Sequence, residues 1–405
     1  MNASALYMSK LSDTEARISH KWFSAALQHH SATIEEYESC YRCLVAEGKV
    51  ADIHIVIPRF EPTAEPEFDQ LLADVRQKIF MPAALSQQHQ QLIYKRRHFE
   101  LLNKDPGVTV TMDDGEEIRL RTTNAFEKPS RSLYLRQFLS QLEEGKSNWN
   151  NVLPFLQGLV MARALPPDYY WAQLTRKAGE AGKEGVLLDC ANSAEKTEFR
   201  LCRPGVAREL FIAFHQRAAA DGFKDATLEK VWTRAHHVAL MLEAPEHRPR
   251  NSLKGPRPMD HTDARSEPTV LATLLELSSH MALEHQTQTL KTKAASYASK
   301  LAIVIQDPPP SRPEASKDSK HAEMRKMAFM SEDMETGVII GEAIRTALKL
   351  DAIKGDDKAT LKDHLPTLNK KLNVQAKILR TEVESRGPGR LPTRRALLMY
   401  DQLHS

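Results

Sequence analysis

Aromatic residues and glycine are scarce in this 405-residue chain: aromatics make up 6% of it, and only 16 residues are glycine. All-β folds need turn glycines and strands rich in aromatic or β-branched residues, so this scarcity favours helices. Hydrophobic residues at 41% and charged residues at 27% are ordinary for a folded protein and argue against general disorder. The composition therefore predicts a folded, mainly α-helical chain.

An excess of one charge sign is also lacking. The chain has 56 Lys and Arg residues against 53 Asp and Glu residues, which gives a net charge of +3. The electrostatic signature of a nucleic-acid-binding protein is a clustered positive excess, so any such function must come from local patches. No apolar run approaches the roughly 20 residues that a membrane span needs.

Cysteine is rare as well, with four residues, too few for a disulfide framework in a chain of this length. A reducing compartment is expected. Residues 1–30 contain no continuous apolar core, which argues against a secretory signal. Lys10 and Arg17, among serines and alanines, fit an organellar presequence, whereas Asp13 and Glu15 fit the start of a folded domain.

Helical periodicity dominates from residue 131 to residue 244. The predicted helical segments are 131–143, 148–163, 167–181, 184–195, 204–220 and 225–242. Adjacent pairs recur about every 35 to 40 residues, a period typical of solenoids, because one helix pair alone cannot bury its apolar face. We therefore expect stacked helical hairpins that resemble an α-solenoid.

The rest of the chain divides by composition and periodicity. The predicted regions are a mixed helical N-terminal region 1–130, the helical-repeat region 131–244, a Pro-rich basic linker 245–268, a helical pair 269–306, a second linker 307–330, C-terminal helices 331–386 and a basic tail 387–405.

A β-hairpin is predicted at residues 108–121, within the N-terminal region. Two alternating segments, Val108–Met112 and Glu117–Arg121, flank Asp113-Asp114-Gly115, and the glycine stands where a positive φ is needed. A lone hairpin is marginally stable. It should therefore pack on neighbouring helices, with the alternating segment Ile53–Ile57 as a candidate third strand.

Residues 148–201 contain a recognisable helix-pair unit. Leu165-Pro-Pro-Asp-Tyr-Tyr-Trp opens a first helix, Gly179–Lys183 forms a small-residue turn, and a second apolar helix leads to Glu198–Leu201. This unit resembles a pentatricopeptide-type repeat, as found in organellar RNA-associated proteins. With residues 108–121 and 264–284, the chain resembles a fungal mitochondrial protein with degenerate repeats of this kind. The resemblance implies a mitochondrial location (otherwise the cytoplasm), an RNA or ribonucleoprotein partner, and protein partners.

Motifs for catalysis or metal binding are weak. Cys40-x-x-Cys43 lies in a predicted helix, and a zinc site would need further ligands from Cys190, Cys202 or a histidine; a buried structural role is the alternative. The adjacent pairs His29-His30 and His236-His237 point about 100° apart on a helix and cannot clamp one metal. Gly179–Lys183 lacks the spacing of a phosphate-binding loop. No catalytic residue, metal or cofactor is predicted.

Two basic clusters are the candidate nucleic-acid contacts: Lys95, Arg96 and Arg97, and Arg386, Arg390, Arg394 and Arg395. Such charges can neutralise phosphates and release counterions. The alternative interpretation is a solvated helix face. A short amphipathic segment in the tail is a candidate docking element for a partner, or could fold back on its own domain; its residues are Leu391, Leu397, Leu398 and Tyr400.

Our leading hypothesis is a non-enzymatic helical-repeat adaptor in mitochondrial RNA metabolism or translation. It would bind RNA or a ribonucleoprotein through the surface of the helix stack and the basic clusters. A scaffold or assembly factor that binds only proteins is the second hypothesis, and an enzyme without a recognisable motif is the third. The sequence leaves the oligomeric state open.

Overall fold

The computed structural model describes residues 57–104, 107–112, 115–123, 129–143, 147–248, 263–308, 322–386 and 394–404. The chain divides into two compact units; among the described residues, 97–121 belong to the smaller unit and the others to the larger. The proposed third strand lies outside the described residues except for Ile57, as does Cys40-x-x-Cys43.

Helices make up most of the described structure, and each is named here with its bounds. They are α1 (Pro66–Val75), α2 (Met81–Ala84), α3 (Gln87–Tyr94), α4 (Phe99–Asn103), α5 (Arg131–Ser140), α6 (Val152–Met161), α7 (Asp168–Glu180), α8 (Glu184–Asn192), α9 (Ala194–Thr197), α10 (Val206–Ala220), α11 (Asp225–Met241), α12 (Pro268–His285), α13 (Gln288–Gln306), α14 (Ala322–Ala347), α15 (Gly355–Arg386) and α16 (Arg394–His404).

The smaller unit contains α4 and the predicted hairpin. Strands β1 (Thr109–Thr111) and β2 (Glu117–Arg119) are antiparallel, with Val110 opposite Ile118. Gly115 has a φ of 80°, in the left-handed region that glycine adopts at no steric cost. The predicted mainly α fold with a small β-hairpin in the N-terminal region is confirmed.

The larger unit is a stack of helices in two rows. In the first row, α7 packs on α10, α10 on α12, α12 on α14, and α14 on α16. In the second row, α8, α11, α13 and α15 each pack on the first-row helix that precedes them in the chain. The predicted helical stack is therefore present from α7 onward.

Helix α12 shows why the sequence forms this stack. Pro268 occupies its first turn, where the missing N–H is not needed, and Gln286 ends it with a φ of 51°. Buried residues, most of them apolar, cover nearly its whole circumference, as expected for a helix that is packed on all sides. It packs on α10, α11, α13 and α14 and so lies at the centre of the stack.

Two predicted boundaries differ from the structure. The sequence pattern of residues 86–103 predicts one helix, but the structure interrupts it, because Lys95 has an extended backbone and the carbonyl of Ile93 accepts from the amide of Thr123 at 2.9 Å. A continuous helix would have used that carbonyl itself. The second linker is shorter than predicted, because α14 already begins at Ala322; its first turns are rich in strong helix formers, and Met327 is buried.

Near the start of the larger unit, four phenylalanines form an aromatic core. The rings of Phe138 on α5 and Phe155 on α6 stack at 3.7 Å, and Phe68 and Phe80 pack beside them. Gly158 on α6 lies directly against Phe80, and a Cβ at this position would overlap the ring. Close packing of this core therefore requires glycine inside a helix.

We predict that Gly158→Ala lowers the free energy of unfolding by about 1–3 kcal/mol, because overpacking outweighs the better helix propensity of alanine. Gly185→Ala is the matched control, since a Cβ at this helical position meets no atom within 4 Å among the described residues. It should stabilise the protein by up to about 1 kcal/mol. Urea unfolding of both variants measures the two effects, and equal effects of the same sign would contradict the packing argument.

Candidate nucleic-acid interface

The first predicted basic cluster lies at the surface. Lys95, Arg96 and Arg97 are all exposed. Lys95 Nζ donates to Gln91 Oε1 at 2.9 Å, and Arg97 Nε donates to His98 Nε2 at 2.9 Å. Neither contact neutralises a positive charge, so Lys95 and Arg97 keep the net positive charge that phosphate binding requires.

The second predicted cluster is divided. Arg386 ends α15 and Arg394 begins α16, whereas Arg390 and Leu391 lie outside the described residues. Arg395 is not on the surface: its side chain is only 15% exposed. The expectation of a solvent-facing phosphate ligand does not fit this position, because the guanidinium is bound by two carboxylates of the chain itself.

Those carboxylates belong to Glu209 on α10 and Glu335 on α14, which are 4% and 2% exposed. Arg395 donates from Nη1 to Glu209 Oε2 at 2.6 Å and from Nε to Glu335 Oε1 at 2.8 Å. Arg208 binds the same two acids, at 2.8 Å and 2.7 Å. Arg176 on α7 donates to Glu209 from Nε and Nη2, both at 3.1 Å.

We call these five residues the buried ion cluster. It joins α7, α10, α14 and α16 and surrounds two negative charges with three positive ones, so both acids are fully compensated. Burial opposes ionisation of Glu209, but hydrogen bonds from Arg395 and Arg176, together with their charges, outweigh it and lower the pKa of Glu209 to about 2. The same carboxylates raise the pKa of Arg395 despite its burial.

Sequence reasoning missed this cluster apart from Arg395. The available signal was the pair Arg208-Glu209 inside α10, whose other residues in that stretch are mostly apolar. Charged residues on a buried helix are rarely left unpaired. The pairing partners could not be read from spacing, since Arg395 lies 186 residues from Glu209.

The predicted docking segment mostly folds back on its own unit. Tyr400 is 8% exposed and, like Leu397, packs on the C-terminal hydrophobic core. The Tyr400 hydroxyl donates to Asn373 Oδ1 on α15. Leu398 is 55% exposed and remains on the surface. Leu397 and Tyr400 thus fold back on their own unit, as the alternative to partner docking expected.

Cysteine and histidine residues that could have been metal ligands or reactive groups are instead packed against other side chains. Cys190 is buried, and burial raises the pKa of its thiol to about 12. His236 stacks on Trp232 at 5.3 Å, and His280 stacks on Phe223 at 4.0 Å. Within the described ranges, no group of His, Cys, Asp and Glu is arranged to hold a metal ion. None of the described helices is long and apolar enough to cross a membrane.

Similarity to a known family covers most of this architecture. The family model described as mitochondrial ribosomal protein mS27 matches residues 49–402, which include every described helix and strand except the last residues of α16. The chain belongs to the mS27 family.

A curated member gives a more local comparison. The small ribosomal subunit protein mS27 of Neurospora crassa is 25% identical over 224 residues, which cover 55% of this chain and 56% of that protein. The aligned part thus spans little more than half of the relative. Membership of the mS27 family confirms the predicted mitochondrial location and the fungal mitochondrial part of the resemblance. The pentatricopeptide-type repeat stays a prediction.

The buried ion cluster gives a pH prediction for this mS27 protein. A carboxyl whose pKa is lowered on folding stabilises the protein above its unfolded pKa, and this contribution is lost as the pH falls through the folded pKa. Glu209→Gln should therefore cost on the order of 3 kcal/mol at neutral pH, and the difference from the unsubstituted protein should shrink between pH 4.5 and about pH 2.

Denaturant unfolding as a function of pH measures this difference. The exposed Glu229 on α11 provides the control, and Glu229→Gln should change stability by less than about 0.5 kcal/mol. A Glu209→Gln effect that is small at neutral pH, or constant down to low pH, would argue against an ionised Glu209 in the cluster.

Proposed function

We propose that this chain is a structural component of the mitochondrial small ribosomal subunit and supports mitochondrial translation by binding RNA and neighbouring proteins. The family match over residues 49–402 carries this proposal, because it covers nearly the whole helical stack rather than one motif. The Neurospora relative is by its name a small ribosomal subunit protein. A non-enzymatic role as a helical adaptor follows from the same argument.

In this proposal, buried and exposed cations have different roles. The buried ion cluster uses Arg395 internally, so we no longer propose that residue as an RNA ligand. The exposed cations Lys95, Arg96 and Arg97 stay in the proposal, because their charges face solvent. Arg386, Arg390 and Arg394 stay as proposed contacts from the sequence alone.

A protein-only scaffold is the second candidate. It is favoured by an apolar strip on α15, where Val374 and Ile378 lie one turn apart and are 57% and 39% exposed. Exposed Leu398 on α16 adds to the apolar surface of this part of the chain. A ribosomal component can use both a basic surface and an apolar one. The two candidate functions therefore differ only in whether the chain contacts RNA directly.

The first test of the proposal is sedimentation. A tagged copy of the full chain, expressed in mitochondria of its own host, should sediment with the small ribosomal subunit and with assembled ribosomes in a sucrose gradient. Depletion of the chain should lower mitochondrial protein synthesis and the amount of small subunit. Sedimentation only at the position of free protein would overturn the proposed function.

The second test separates RNA binding from protein binding. Lys95→Glu with Arg96→Glu should weaken binding of the full chain to small-subunit ribosomal RNA and reduce the salt dependence, by about 0.7 to 0.9 in the log–log slope for each phosphate that is no longer neutralised. The matched control is the exposed adjacent pair on α14, Arg325→Glu with Lys326→Glu. Filter binding across a salt series measures both variants, and identical slopes for the two would favour the protein-only scaffold.

A further inference from the structure

A groove between α5 and α7 has features that the sequence predictions did not include. Its volume is about 520 Å³, and it is lined by residues from both helices and from the segment that leads into α7. Arg131 and Arg136 supply positive charge, and Tyr169 and Tyr170 supply aromatic surface. The described residues that line it include no carboxylate.

The charges of the groove are only partly used by the protein. Arg131 donates from Nη1 to the carbonyl of Leu165 at 3.2 Å, a contact that orients the guanidinium without neutralising it. Arg136 is exposed and forms no ion pair with any described residue. The nearby acid Asp168 is paired with Arg203 at 3.3 Å. The groove therefore presents a net positive surface, suited to phosphate.

The aromatic residues occupy two different positions. Tyr169 is 62% exposed, which is unusual for a large aromatic side chain and leaves its ring open to stacking. Tyr170 is 2% exposed, and within the described structure its hydroxyl has no hydrogen-bond partner. A buried hydroxyl without a partner is costly, and a polar ligand in the groove would supply one.

We propose that this groove binds an unpaired nucleotide of RNA, with the base stacked on Tyr169, the phosphates held by Arg136 and Arg131, and a polar group hydrogen-bonded to the Tyr170 hydroxyl. Stacking on an exposed aromatic beside arginines is how proteins bind single-stranded RNA with little sequence preference. A peptide would gain less from this groove, since its lining offers two cations and no anion. The inference rests on the proposed ribosomal function and names one site within it.

The test uses the full chain and a fluorescently labelled, mixed-sequence, single-stranded RNA oligonucleotide. Tyr169→Ala should raise the Kd at least about fivefold, because the stacking of one base is removed, whereas Tyr169→Phe should leave it unchanged. Arg136→Gln should reduce the log–log salt slope by about 0.7, the value for one phosphate of a single strand. A double-stranded RNA of the same sequence should compete poorly.

Matched controls separate these effects from general changes of the surface. Lys230→Gln and Leu240→Ala replace an exposed cation and an exposed apolar residue on α11 and should leave the Kd and the slope unchanged. Because Tyr169 and Arg136 are exposed, their variants should keep the unfolding midpoint of the unsubstituted protein. In isolated small subunits, ultraviolet crosslinking should join RNA to the peptide that contains Tyr169.

Unchanged RNA affinity for Tyr169→Ala and Arg136→Gln would overturn the groove proposal, as would a crosslink from this peptide to protein alone. Both outcomes leave the ribosomal function intact if the chain still sediments with the small subunit. Failure of the chain to enter the small subunit would instead remove the proposed function itself.

Discussion

The pairing of Glu209 and Glu335 with three arginines is the constraint on which the helical stack depends. Two carboxylates with almost no solvent exposure lie between first-row helices, where an uncompensated charge would cost several kcal/mol. Arg176, Arg208 and Arg395 reach them from three different helices. Because each guanidinium has a fixed planar geometry, these hydrogen bonds define the positions of the helices as well as neutralising the acids.

The cluster also explains how charged side chains can lie inside a tightly packed helical stack. Hydrophobic burial holds α12 at the centre of the stack, but apolar contacts alone tolerate small shifts of one helix along another. Hydrogen-bonded ion pairs do not tolerate such shifts. The chain thus has an interior that specifies the helix register and a surface on which other cations, such as Lys95, Arg96 and Arg136, stay exposed to solvent.

Local sequence patterns predicted much of the fold. Apolar periodicity predicted the helices from α5 to α13, except the short α9, to within a few residues at most ends, and Asp113-Asp114-Gly115 predicted the β-hairpin. The interruption at Lys95 could not be predicted, because it depends on a hydrogen bond from Thr123. Arg395 was mistaken for a surface cation because its partners lie 60 and 186 residues away. The groove was missed for the same reason, since Arg136 and Tyr169 come to line one groove only when the chain folds.

Solenoids in which each repeat contacts only its neighbours can unravel from either end, one repeat at a time. The buried ion cluster changes this, because Arg395 connects α16 directly with α10 and Arg208 connects α10 directly with α14, across helices that lie between them in the chain. If α16 opened, Glu209 and Glu335, on helices much earlier in the sequence, would lose the positive charge of Arg395. We therefore expect the segment from α7 to α16 to lose its structure cooperatively, as a single unit, rather than by fraying.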